Sequence, residues 1–128
     1  MKDVFLRRAD RGAYIIPMLL HDTRSHVVIK AVILDISSRG VRCFTNDRRL
    51  LLMSEEILRE KSFRLEFDFV GVDTIGLEGK VVHIRPGKNP RYERQLGIGF
   101  TQISPVMARD INRTISADEA ARASKATR

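Results

Sequence analysis

The chain predicts a mainly β fold: a small antiparallel six-stranded barrel with a C-terminal helix. Three observations predict it. Six short β-rich runs follow one another with turn residues between them and no long helix intervening, which suits a barrel and excludes a βαβ sheet. Phe63, Leu65, Phe67 and Phe69 alternate with Arg64, Glu66 and Asp68, a period of two that sets four apolar side chains on one face. Ser104-Pro105 then opens a helix, with a hydroxyl N-cap and proline at the first helical position. Met107, Ile111 and Ile115 follow at i, i+4 and i+8, a stripe that can dock on the barrel.

Residues 1–12 carry Arg7, Arg8 and Arg11 among polar and small residues. A flexible basic arm is expected there, because little apolar area offsets the entropy of ordering it. Residues 13–116 form the barrel and its helix. Ala13 to Leu20 is the first strand, with Pro17 placing it at an edge or a bulge because proline donates nothing to a ladder. His21 to Ser25 is a polar turn. His26 to Leu34 is β-branched and apolar throughout, as a buried strand requires. Asp35 to Gly40 turns the chain into a third strand from Val41 to Phe44.

Asn46 to Lys61 reads as a short helix or structured loop, with Ser54 as N-cap and Glu55 and Glu56 in the first turn. Phe63 to Phe69 is the fourth strand, Gly71 to Gly76 a turn, and Leu77 to Arg85 the fifth strand. Pro86 to Arg91 is a hairpin loop dense in turn residues. In the last strand, Tyr92 to Ile103, Leu96, Ile98 and Phe100 share one face and Gly97 and Gly99 the other. Paired glycines on one face mark close approach by a ligand, another backbone or a barrel crossing. Residues 117–128 are Ala-rich and charged, suited to a helical extension or a disordered tail.

At 128 residues, one domain with its own core is expected. No run approaches the roughly 20 apolar residues that span a bilayer, and the N-terminus lacks a signal-peptide core, so a cytoplasmic protein is expected. The single cysteine, Cys43, excludes an internal disulfide and a multi-cysteine zinc site, and reads as a small core residue. His21, His26 and His83 lack metal-ligand spacing, and no phosphate loop, nucleophile elbow or zinc-protease motif occurs. Neither a cofactor nor an enzyme is expected. The net charge of +7 calls for an anionic partner. With 17 Arg against 6 Lys, the basic groups suit bidentate contacts to phosphates and guanine edges, although the coding bias of a GC-rich genome accounts for the overall excess without them.

Asp35-Ile36-Ser37-Ser38-Arg39-Gly40 has D-x-S-x-x-G spacing. Aspartate and serine fold back onto neighbouring amides, and glycine supplies a φ > 0 position. Two readings stand: a well-built hairpin turn, or a rigid platform holding an acceptor and a hydroxyl beside an approachable backbone. Arg7 and Arg11 form R-x-x-x-R in the arm, a spacing that Arg109 and Arg113 repeat in the helix. Order separates the copies, since the arm precedes the first strand and D-x-S-x-x-G closes the second.

With LRRADR (Arg7, Arg11), DISSRG (Asp35, Ser37, Gly40) and the late strand QLGIGF ahead of a helix, the chain resembles the PilZ domain family from about Phe5 to Ile115. It has Arg39 where many members carry a second glycine, and a longer Asn46 to Lys61 segment. The resemblance implies the PilZ-type barrel and a non-catalytic bacterial receptor for cyclic di-GMP, with Arg7, Arg11, Asp35, Ser37 and Gly40 as its binding residues. Arg8, Arg39, His83 and Gly97 are further candidates, with Arg85 beside them if its strand face borders the site. It also implies that the arm orders over the nucleotide and that the signal passes to an unidentified effector protein in motility, biofilm or virulence systems. Leu6 precedes the R-x-x-x-R where another arginine could stack on a second ligand, which favours one ligand per chain. The alternative is a small basic barrel that binds RNA or single-stranded DNA through exposed aromatics. A degenerate domain that has lost nucleotide binding is a third reading, opposed by the intact motifs.

Overall fold

The computed structural model describes residues 6–7, 14–87, 89 and 93–126. In chain order its elements are β1 (Leu6–Arg7), β2 (Tyr14–Asp22), β3 (Val28–Ile36), β4 (Gly40–Thr45), α1 (Arg48–Leu51), α2 (Glu55–Glu60), β5 (Ser62–Phe67), β6 (Glu78–Pro86), β7 (Arg94–Gln102) and α3 (Pro105–Ala126). Strands β2-β3-β4-β7-β6-β5 pair in that order, all antiparallel, and β5 returns to β2. The sheet is thus a closed six-stranded barrel with a C-terminal helix, as the strand count and the Ser104-Pro105 start predict. The two-residue β1 is an addition, its backbone pairing Leu6 with Ile15 and Arg7 with Tyr14. The other residues expected as a basic arm lie outside the described residues.

Closure follows from alternation. Ile16, Met18 and Leu20 of β2, Val41 and Cys43 of β4, Phe63, Leu65 and Phe67 of β5, and Leu96 and Ile98 of β7 all point into one buried cluster. The phenylalanines of β5 are therefore core, and Phe69 stays buried beyond the strand in a bridge to Val72. Met107 and Ile111 of α3 cap this cluster, with Ile115 partly buried beside them. Cys43 is fully buried, and desolvation of its thiolate pushes the thiol up to about 12.

Several boundaries move for physical reasons. β2 runs on through His21 and Asp22, expected in the turn, because β5 offers partners for both, Arg64 and Phe63. Pro17 pairs with Val32 of β3, while the β5 ladder begins only at Met18, so proline sits where β2 lacks that neighbour. The segment after β4 holds two short helices. Ser54 caps α2 as expected, its Oγ accepting from the Ile57 amide, and Asp47 caps α1 in the same way through the Arg49 amide. Ser104 Oγ accepts from the Met107 amide at the start of α3. Among the described residues no helix is long and apolar enough to cross a membrane.

Candidate functional site

The site grows from an irregularity in β3. Ile29, Ala31 and Ile33 face the core in alternation, which would carry Asp35 inward as well. The β3–β4 register breaks between Ile33 and Asp35, leaving Leu34 as an extra residue. This bulge turns Asp35 outward and returns Ile36 to the core. Asp35 then pairs with Arg42 of β4, Arg42 with Gly97 of β7, and Gly97 with His83 of β6. One outward row thus crosses four strands.

A second bulge completes the row. Val81 pairs with Ile98 and His83 with Gly97, so Val82 is the extra residue in β6. Two exposed side chains, Val82 and His83, consequently lie over the glycines of β7. A Cβ built on Gly97 would come within 3.1 Å of His83 Cβ, and one on Gly99 within 3.4 Å of a Val82 methyl. Gly97 and Gly99 make room for the side chains of the neighbouring strand, where their spacing points to a ligand, another backbone or a barrel crossing.

The Asp35 to Gly40 turn is tight and internally bonded. The Ser37 amide donates to the Gly40 carbonyl at 2.9 Å, and the Arg39 amide donates to Ser37 Oγ at 3.1 Å. The Phe100 amide of β7 donates to the Arg39 carbonyl at 2.8 Å, tying the turn to the neighbouring strand. Gly40 differs from the expectation. Among the described residues only Gly71 and Gly76 have positive φ, so Gly40 is not needed for a left-handed turn. It is needed because β4 and β7 touch there. A Cβ on Gly40 would be driven into the Ile98 carbonyl oxygen and lie 3.1 Å from Gly99 Cα.

These features enclose a surface groove of about 700 Å³, lined by Asp35, Ser37, Arg39, Gly40, Arg42 and His83 among others. Arg85, Gln95 and Gly97 complete its far side. Three arginines face one carboxylate, so the groove attracts anions while keeping one strong acceptor. Asp35 and Arg42 meet at 3.9 Å with both side chains more than half exposed, a contact weak enough to open for a ligand. Ser37 Oγ spends a lone pair on Arg39 N–H and keeps its own proton to donate outward.

The groove thus brings together Asp35, Ser37, Gly40, Arg39, His83 and Gly97. Arg7 lies on β1, whose backbone pairs with β2, and Arg8 and Arg11 lie outside the described residues. Sequence reasoning missed Arg42, Gln95 and Val82. The signal for the bulges was present as apolar pairs that break alternation, Ile33-Leu34 and Val81-Val82, but such pairs also suit a strand buried on both faces.

The PilZ domain family matches residues 5–117. Among solved structures, the PilZ domain of YcgR from Escherichia coli, determined with c-di-GMP, superposes with a TM-score of 0.58 at 14% sequence identity. That alignment covers 100% of this chain and 99% of the other. No curated protein matches the chain. The family match spans both motifs and the whole barrel, and on it the chain belongs to the PilZ domain family.

Proposed function

We propose that the chain is a non-catalytic cytoplasmic receptor for cyclic di-GMP that hands its signal to a partner protein. The observation that carries this reading is the groove itself, where a bulge aims Asp35 outward beside Ser37 and three arginines in a PilZ barrel. The fold is shared with a PilZ domain solved with c-di-GMP.

Cyclic di-GMP offers two phosphodiesters and two guanines. Asp35 accepts from guanine N1–H and N2–H₂, an acceptor that phosphates alone would repel. Ser37 donates its free proton to a phosphate or base oxygen. Arg39 supplies charge-assisted hydrogen bonds at the rim, and Gly40 keeps β4 against β7 so that the turn keeps its shape. His83 over Gly97 offers a flat ring beside a backbone that a base can approach. Arg7 and Arg11, with Arg8 between them, reach in from the N-terminal segment and clamp phosphate and guanine O6/N7 from the other side. Ordering of that arm is the signal the partner reads.

Calorimetric titration with cyclic di-GMP tests the reading. Saturable binding is expected, weakened in Arg11→Ala by roughly 1.5–3 kcal/mol, the worth of a charge-assisted contact. Absence of heat with cyclic di-GMP, together with salt-sensitive oligonucleotide binding, would transfer the chain to the nucleic-acid reading. Burial of Phe63, Phe67 and Phe69 counts against that outcome, because it removes the stacking platform.

A further inference from the structure

The β6 bulge is held from outside the barrel. β5 pairs with β6 over Glu78, Gly79 and Lys80, and beyond Lys80 no strand among the described residues lies beside that edge of β6. Val82 also has no partner in the β6–β7 register. A bulge leaves a peptide group out of the ladder, and an unmet acceptor weakens the geometry that creates it. Here Arg59 of α2 supplies the donor, its Nη1 at 2.8 Å from the Val82 carbonyl oxygen. The same guanidinium lies 3.9 Å from Glu55 one turn earlier, an exposed pair of small worth.

α2 belongs to a segment fastened to the barrel at two more points. Arg94 of β7 donates to the Leu50 and Met53 carbonyls at 2.9 and 2.7 Å. Arg49 donates to the Val28 carbonyl of β3 at 2.9 Å. The segment is therefore a fixed strut, and Arg59 is where it reaches the groove wall. Val82 and His83 line the groove, whereas Arg59 does not.

We propose that Arg59 is a positioning residue for the groove: by holding the Val82 carbonyl it fixes the bulge that lays Val82 and His83 over Gly99 and Gly97. The inference rests on the groove being the nucleotide site. Without that hold, the bulge relaxes along β7, and the ring and methyls lose their seats before any ligand arrives.

The test uses the full chain as wild type, Arg59→Met, Arg59→Lys and Glu55→Ala. Methionine keeps the apolar stem without a donor, lysine restores one donor, and the Glu55 variant removes the exposed pair together with one of the two first-turn acids of α2. Amide resonances of Val82, His83, Gly97 and Gly99 are read without ligand, then cyclic di-GMP affinity by calorimetry. Arg59→Met is expected to move those four resonances and weaken binding roughly tenfold, about the worth of one charge-assisted bond. Arg59→Lys is expected to recover most of both effects, and Glu55→Ala to change neither. Unmoved resonances in Arg59→Met, or a lysine variant as impaired as the methionine one, would overturn the proposal. If the wild type binds no cyclic di-GMP, the functional reading falls, while the ligand-free resonances still decide whether Arg59 holds the bulge.

Discussion

Two turns flank β3, one at each end, and both contain an aspartate, hydroxyl residues and an arginine: Asp22-Thr23-Arg24-Ser25 and Asp35-Ile36-Ser37-Ser38-Arg39. In the first, the aspartate and the threonine are both answered by neighbouring protein groups. Asp22 is buried and accepts from Lys61 Nζ at 2.7 Å and from the Arg24 amide at 2.9 Å. Thr23 gives both its amide and its hydroxyl to the Ser62 carbonyl. In the second turn Asp35 is exposed, with one ion pair at 3.9 Å among the described residues. The same chemistry serves as a staple at one end of β3 and as an open acceptor at the other. What separates them is the neighbouring element, since the end of α2 brings Lys61 and the start of β5 brings Ser62 to this turn, whereas a bulge turns Asp35 towards a groove.

That contrast can be broken from either side. The largest expected effect is in the closed turn. Asp22→Ala leaves Lys61 half-buried without its partner and should cost about 2–3 kcal/mol in urea unfolding, with nucleotide affinity unchanged. Gly40→Ala belongs to both kinds of site. Forcing a Cβ against the β7 backbone should cost about 2 kcal/mol and also distort the groove, so stability and affinity should fall together. Asp35→Ala should do the opposite of Asp22→Ala: about a tenfold loss of cyclic di-GMP affinity, with stability within about 0.5 kcal/mol of wild type. A large stability loss in that variant would erase the distinction between the turns.

The smallest effect is a pH dependence confined to the closed turn. The hydrogen bond from Lys61, then that from the Arg24 amide, hold the Asp22 carboxyl below the ordinary aspartate value. A folded-state pKa below the unfolded one stabilises the fold above the usual aspartate range, and that contribution is lost as pH falls through the folded pKa. Urea midpoints at pH 5 and pH 3 should therefore drop further in the wild type than in Asp22→Asn. Equal drops would show that other carboxylates set the acid limb.

Much of the barrel was legible because its signals are local. The Phe63–Phe69 alternation, the Ser54 and Ser104 caps and the Leu96/Ile98 face against Gly97/Gly99 depend only on period and backbone chemistry. Of the site, the turn motif was legible and the row beside it was not. Arg42 is one arginine among 17 in the sequence, and it faces Asp35 only after Leu34 is squeezed out of register. The turn chemistry of D-x-S-x-x-G asks Gly40 for a positive φ, whereas the demand on it is contact with β7, some 60 residues away in the chain.

By itself the sequence determined the fold class, the core faces of β5 and β7, the starts of α2 and α3 and the D-x-S-x-x-G turn, because each is set by side-chain period or by a cap reaching its own backbone. Only the tertiary structure decided which aspartate is sealed and which is open, why Gly40 must be glycine, and that α2 reaches the groove through Arg59. Those outcomes depend on strand register and on which element lies alongside. A one-residue bulge reverses the face of every side chain after it, and local composition barely records it.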